Sequence, residues 1–192
     1  MTDVIRSFPP IVGADPRILI LGSMPGEASL RAGEYYAHPR NLFWRIVGEA
    51  VGFDADAPYA ERVATLAAAG VALWDVAAAC VRPGSLDTSI VRDSVVANDI
   101  PGLLRAHPRI GRICFNGAAA DALFCRYVDP VLSADTDLLR IERIRLPSTS
   151  PANASIPLDR KRAAWRGAVI VERQAVAEDA PQSPNFAVPI GS

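Results

Sequence analysis

Four short apolar runs punctuate the chain, and between them apolar residues recur at helical spacing. The runs at 18–21, 71–74, 113–115 and 141–146 are too short for buried helices and end in glycine, proline or polar residues, so they predict strands. The first three are continuously apolar, as strands covered on both faces of a parallel sheet are. The fourth alternates, with Arg143 and Arg145 facing away from Ile144 and Leu146, which predicts a less buried strand. Residues 41–51 carry Phe43, Trp44, Val47 and Ala50 at helical spacing. Residues 59–69 follow Pro58 and stop at Gly70. Residues 98–106 open on Asn98 as a cap, with Pro101 near the first turn. Residues 117–127 are alanine-rich and start straight after a strand, and 158–173 read as a basic amphipathic helix. Strands alternating with helices predict βαβ units and hence an α/β fold, a three-layer αβα sandwich around a mostly parallel four-stranded sheet. Residues 175–192 hold Pro181, Pro184 and Pro189 with little pattern, so a tail is expected after a single domain spanning 1–174.

Composition narrows the class. The chain has 192 residues, 50% hydrophobic and 21% charged, enough for one domain with its own core. No apolar run approaches the roughly 18–20 residues of a membrane span, and the start MTDVIRSFPP lacks a basic-then-apolar signal. A cytoplasmic protein without membrane contact is expected. Cys80, Cys114 and Cys125 are too few and too scattered for a disulfide framework or a metal cluster, which fits a reducing cytoplasm; no cofactor is expected. A net charge of −1 argues against general polyanion binding but leaves room for a local basic face. Lys161 is the sole lysine among 20 basic residues, and the arginines suit bidentate phosphate contacts.

Sites in open parallel sheets form beyond the carboxyl ends of the strands. The segments there are GSMPG, DVAAACVRPGSLD, NGAAA and PSTSPAN, all rich in small, polar or proline residues. A strand ending in G-x-x-P-G is a tight loop whose amides can face a phosphate or a flat ring. Just ahead of the 41–51 helix, Phe43 and Trp44 read as core. Core packing and helix capping explain Tyr36, His38 and Asn41 poorly.

The runs LILGSMPG…YYAHPRNLFW, LWDVAAACVRPGSLD and LPSTSPAN, in that order and each after a strand, resemble the uracil-DNA glycosylase superfamily. Within it they are most similar to the hypoxanthine-DNA glycosylase branch, often called family six. The resemblance spans residues 8–165. It implies a monofunctional, metal-free glycosylase whose partner is DNA containing deaminated bases, uracil or hypoxanthine, and which starts base-excision repair, as a monomer. Such enzymes flip the damaged nucleotide out of the duplex and hydrolyse its bond to deoxyribose.

The resemblance also suggests roles. Tyr36 falls where related enzymes place an aromatic ring over the flipped base. Most uracil glycosylases carry Asp or Asn in the first loop at the position of Met24, and a thioether cannot polarise water. The water-positioning role therefore moves to Asn41, which could equally cap the helix. His38 is a second candidate, as general acid, phosphate contact or structural hydrogen bond. Ser23 and Met24 belong to the base-binding loop. Asp75 falls where the best-known members have a base-selecting Asn; a carboxylate there would repel a base carbonyl, so Asp75 either points away toward Arg82 or acts as acid or base. The Arg82–Asp87 turn reads as scaffold. Asn116 is either a helix cap or a base contact. Ser148 stands where many members have His and can donate only a neutral hydrogen bond. Ser150 and Asn153 are expected to hold phosphates; Ile156 either wedges into the duplex or staples the loop to the helix, and Arg160, Lys161, Arg162 and Arg166 form either a phosphate-facing surface or a solvated face. The departures at Met24 and Ser148 leave open a binder of damaged or abasic DNA without turnover. GSMPG alone would also suit a small-nucleotide-binding protein with no DNA affinity.

Overall fold

A computed structural model describes residues 4–170. In chain order the elements are β1 (Val4–Arg6), β2 (Ile18–Gly22), α1 (Glu27–Ala32), α2 (Phe43–Val51), α3 (Tyr59–Ala68), β3 (Val71–Asp75), β4 (Ala77–Val81), β5 (Val96–Ala97), α4 (Ile100–Ala106), β6 (Arg112–Asn116), α5 (Ala118–Tyr127), α6 (Asp129–Leu132), β7 (Glu142–Leu146) and α7 (Leu158–Val169). The tail expected at 175–192 and the last residues of the expected basic helix lie outside the described residues. No described helix is long and apolar enough to cross a membrane.

The four predicted strands form one parallel sheet in the order β3-β2-β6-β7. Because successive side chains alternate, β2 feeds two cores. Ile18 and Ile20 join Phe43, Ile46 and Val47 of α2, Leu66 of α3 and Trp165 of α7 on one face. Leu19 and Leu21 join Ile100 and Leu104 of α4, and Ala120 and Phe124 of α5, on the other. The two faces of one strand thus account for three layers. The buried indoles are hydrogen-bonded: Trp44 donates to the Tyr35 carbonyl at 2.8 Å and Trp165 to the Pro147 carbonyl at 2.9 Å. β7 is the less buried edge strand its alternation predicts, and its Arg143 pairs with Asp129 at 2.7 Å.

Three expectations change. Residues 77–81, read as part of a loop, are strand β4, which pairs antiparallel with β1 and β5 in a second small sheet. Its alanines give no alternation, and its partners lie far off in sequence. Asn98 does not cap α4. Asp99 does, accepting from the Gly102 N–H at 2.9 Å, while the Asn98 amide donates to the Asp75 carbonyl at 2.9 Å and to Ser7 Oγ at 3.1 Å.

The third change concerns the expected DNA surface on α7. Lys161 is 2% exposed, and its ammonium donates to the carbonyls of Ser148 and Asn153 at 2.8 and 2.7 Å. Lys161 therefore cannot contact phosphate; it ties the loop after β7 to α7. Arg162 is ion-paired with Glu49 at 2.8 Å and Asp159 at 3.2 Å. Only Arg160 and Arg166 of this run remain exposed without an ion pair among the described residues. Lys161→Met removes both donors and leaves two inward carbonyls unpaired. It should lower unfolding free energy by about 2–4 kcal/mol in urea denaturation.

Candidate active site

The carboxyl ends of β2, β3, β6 and β7 open into one pocket. It encloses ≈ 140 Å³, the same order as the roughly 150 Å³ of a cavity that admits a benzene ring. Its walls come from all four strand-end loops and from the stretch before α2, bringing together Ser23, Met24, Tyr36, His38, Asn41, Asp75, Asn116, Ser148 and Ser150. Asn153 and Arg160 are not in the wall. Asn153 instead bonds the Ser148 carbonyl at 3.4 Å through its side chain, and Ile156 is half-buried.

The loops are held by buried donors. Arg82, 5% exposed, donates to the carbonyls of Met24 (3.3 Å), Pro25 (2.6 Å) and Gly84 (2.9 Å). It therefore straps the GSMPG loop and forms no ion pair with Asp75, contrary to one expectation. Asn116 does not cap α5, whose cap is Gly117; it lines the pocket while its amide holds a neighbouring loop. Its Oδ1 accepts from the Thr149 N–H and its Nδ2 donates to Thr149 Oγ1, both at 2.9 Å. This reciprocal clip fixes the PSTSPAN loop, and the Thr149 carbonyl in turn accepts from the Leu42 N–H at 3.0 Å. Gly117, at φ 96°, lets that loop pass: a Cβ there would lie 2.7 Å from Ser148 Cβ. Met24 is 5% exposed and packs with Ala77, Cys80 and Ile90, so its side chain anchors the loop from below.

The pocket's chemistry lies in its aromatic and polar side chains. Tyr36 stacks on Phe43, with ring centroids 3.9 Å apart and planes 20° apart. Its φ of 55° is left-handed backbone, a conformation that costs a non-glycine residue about 1–2 kcal/mol. Its hydroxyl is buried without a partner, and burial together with the Asp75 charge pushes its pKa up. Asn41, one residue ahead of the α2 cap Leu42, accepts the first helical N–H, that of Phe43, at 3.0 Å through Oδ1 and so serves the helix end, while its amide Nδ2 takes no part in that bond. His38 Nδ1 accepts from the Arg40 N–H at 3.1 Å, which leaves Nε2 as the nitrogen able to donate. Ser148 Oγ accepts from the Ser150 N–H at 3.2 Å and Ser150 Oγ from the Ala152 N–H at 3.3 Å; each hydroxyl keeps its proton to give.

Asp75 is 3% exposed, and its Oδ2 has no hydrogen-bond partner. Burial first, and the Asp87 charge second, raise its pKa to about 8, against a smaller lowering by Arg82. Gly22 is required beside it, since a Cβ would collide with Asp75 Oδ1 and the Tyr36 hydroxyl. Asp87 itself, read as scaffold, enters the pocket wall and accepts from Ser23 Oγ at 2.6 Å. Nothing periodic marks it. The contact spans 64 positions, and an acid at the end of a strand-end segment is its only signal. No group of three or more metal-ligating side chains occurs among the described residues.

The model of the uracil DNA glycosylase superfamily matches residues 9–169. The chain belongs to that superfamily. A hypoxanthine DNA glycosylase of Methanosarcina acetivorans is 37% identical over 157 residues, covering 81% of this chain and 92% of that protein. One of Methanosarcina barkeri is 38% identical over 113 residues, 58% of this chain and 70% of that protein. A solution NMR structure from M. acetivorans, of a protein proposed to be a uracil DNA glycosylase, is similar with a TM-score of 0.70 at 36% identity, over 86% of this chain and 98% of that one. The superfamily fold and the αβα sandwich described above agree, and the matched region contains every wall residue of the pocket.

Asp75 couples this site to stability. A carboxyl whose folded pKa is raised favours the folded state fully below its ordinary value of 3.8 and loses that contribution as pH rises through about 8. Asp75→Asn should therefore melt higher than the parent at about pH 9, by an amount on the order of a few kcal/mol. The gap should close below about pH 4. Thermal unfolding across that range measures it.

Proposed function

We propose that the chain is a monofunctional DNA glycosylase that hydrolyses the N-glycosidic bond of a deaminated base, hypoxanthine or uracil, in DNA. The observation that carries this reading is the single base-sized pocket on which all four strand-end loops converge, with an aromatic ring in its wall. The likeness to hypoxanthine DNA glycosylases favours hypoxanthine as the first base to test.

The chemistry follows from the wall. A base turned out of the duplex stacks on the face of Tyr36 away from Phe43, worth about 1–3 kcal/mol. The left-handed backbone at Tyr36 sets that ring in advance, so binding does not have to order it. Asn41 is not a base at neutral pH. Its free Nδ2 orients a water beneath the anomeric carbon while Oδ1 remains in the helix cap. The water oxygen bonds to that carbon as the bond to the base nitrogen breaks. The leaving base takes up a proton and the attacking water gives one up, and His38 Nε2 is the wall group suited to exchange it. Ser148 donates a neutral hydrogen bond to the departing base. Ser150 and Asn153, with adjacent amides, hold the flanking phosphates, and Arg160 reaches the next ones. This gives a local basic edge on a chain of net charge −1.

Damage binding without turnover is the competing reading, favoured by Met24 and Ser148. A duplex carrying inosine or uracil separates the two. Base release followed by strand breakage in alkali supports the enzyme, and a stable complex with no breakage supports the binder.

Two substitutions probe the assigned roles. Asn41→Ser keeps a cap acceptor for α2 but deletes the amide; it should slow single-turnover excision by about 10²-fold or more while DNA affinity changes far less. Equal loss of both would remove Asn41 from the reaction. Tyr36→Ala should weaken capture of the everted base by about 10- to 10²-fold. Unchanged excision by that variant would exclude stacking on this ring.

A further inference from the structure

Asp75 is the most isolated polar group in the pocket wall. It ends β3, is 3% exposed, and has one oxygen without a partner. The titratable and charged groups around it come from every adjoining segment. Asp87 approaches from beyond β4, Arg82 from the end of β4, and Tyr35 and Tyr36 from the stretch after α1; Glu27 and His38 stand across the same pocket. The one cation close to it, Arg82, directs its donors at the carbonyls of Met24, Pro25 and Gly84. Among the described residues no ion pair therefore holds Asp75 in its charged form. Oδ2 is enclosed without a partner, and Oδ1, beside Gly22 in the pocket wall, is the oxygen placed to meet a ligand.

We propose that Asp75 reads the base as a neutral carboxylic acid, its Oδ1–H donating to the carbonyl oxygen that deamination puts in place of an exocyclic amine. This rests on the glycosylase reading and names how that site chooses its substrates. An ionised carboxylate would do the opposite. It would repel a carbonyl and accept from the amines of cytosine or adenine, the undamaged parents. The buried acid inverts that preference. Uracil and hypoxanthine present an acceptor where their parents present a donor, and a buried O–H facing an N–H leaves both unpaired. A pKa raised to about 8 by burial and by Asp87 is consistent with an acid that keeps its proton at neutral pH.

Asp75→Asn supplies an amide donor of the same shape that does not titrate. Single-turnover release of hypoxanthine and uracil from duplex DNA is followed from about pH 6 to 10 with both proteins. The wild-type rate should fall about tenfold per pH unit above a midpoint near that of Asp75. In Asp75→Asn this fall should vanish or move up by at least about one unit, to the ionisation of the base's own ring N–H. At about pH 7 the variant should retain activity within roughly tenfold of the parent. The same fall at the same midpoint in both proteins overturns the proposal, as does a wild-type rate that is flat or rises through that range. A wild-type protein that releases neither base at any pH instead defeats the glycosylase reading itself. Difference infrared spectroscopy gives a readout free of turnover. A protonated-carboxyl band at neutral pH should be present in the wild type and absent from Asp75→Asn, and its absence from the wild type overturns the proposal.

Discussion

Loops that leave a parallel sheet without entering regular structure carry carbonyls that must find donors once they are covered. That constraint organises this protein. Arg82 answers it for the GSMPG loop and Lys161 for the PSTSPAN loop, while the Asn116 amide joins the latter to β6. Two of the three donors are buried cations, and both are met by backbone oxygens, not by carboxylates. The loops are tied down in consequence, and Asp75 is left buried without an ion pair among the described residues. Arg82, by pointing at the GSMPG carbonyls, both ties that loop and leaves the buried acid without an ion pair.

The parts of the fold visible in the sequence are those set by local burial. β2, β3 and β6 are covered on both faces, so their side chains are uniformly apolar, and β7 lies at the edge, so it alternates. The helix of Phe43 and Trp44 shows for the same reason. Partnerships across the chain left no such mark. β4 is a run of small residues that becomes a strand only because β1 and β5 flank it. Asn98 reads as a cap, yet its amide is claimed by the Asp75 carbonyl, and the neighbouring Asp99 caps instead. Lys161 looks like one member of a solvated basic face, because nothing in the run DRKR says which side chain turns inward. The pocket's membership was largely legible because strand-end loops converge whatever their contents. Asp87 was not, since its role depends on Ser23, 64 positions away.

Several features of the pocket oppose stability. A tyrosine sits in left-handed backbone, its hydroxyl unpaired, beside a buried acid near a second carboxylate. Each would be relieved by a blander residue. Of the three buried side-chain polar atoms without a partner among the described residues, two lie here and the third is Arg162 Nε; that concentration is the pattern expected where function opposes packing. The stacked Phe43 and the flanking β strands supply the rigidity that lets such a cluster persist.

The burial of Lys161 has a chemical consequence for the product. A deoxyribose that has lost its base opens to an aldehyde, and a nearby primary amine can condense with it to an imine and break the strand by elimination. The only side-chain amine in this chain is enclosed between α7 and the loop it ties down, with two carbonyls on its protons. No side chain here can begin that reaction. On the proposed reaction, the enclosure of that amine favours release of a sugar–phosphate backbone still intact, with incision left to a separate catalyst.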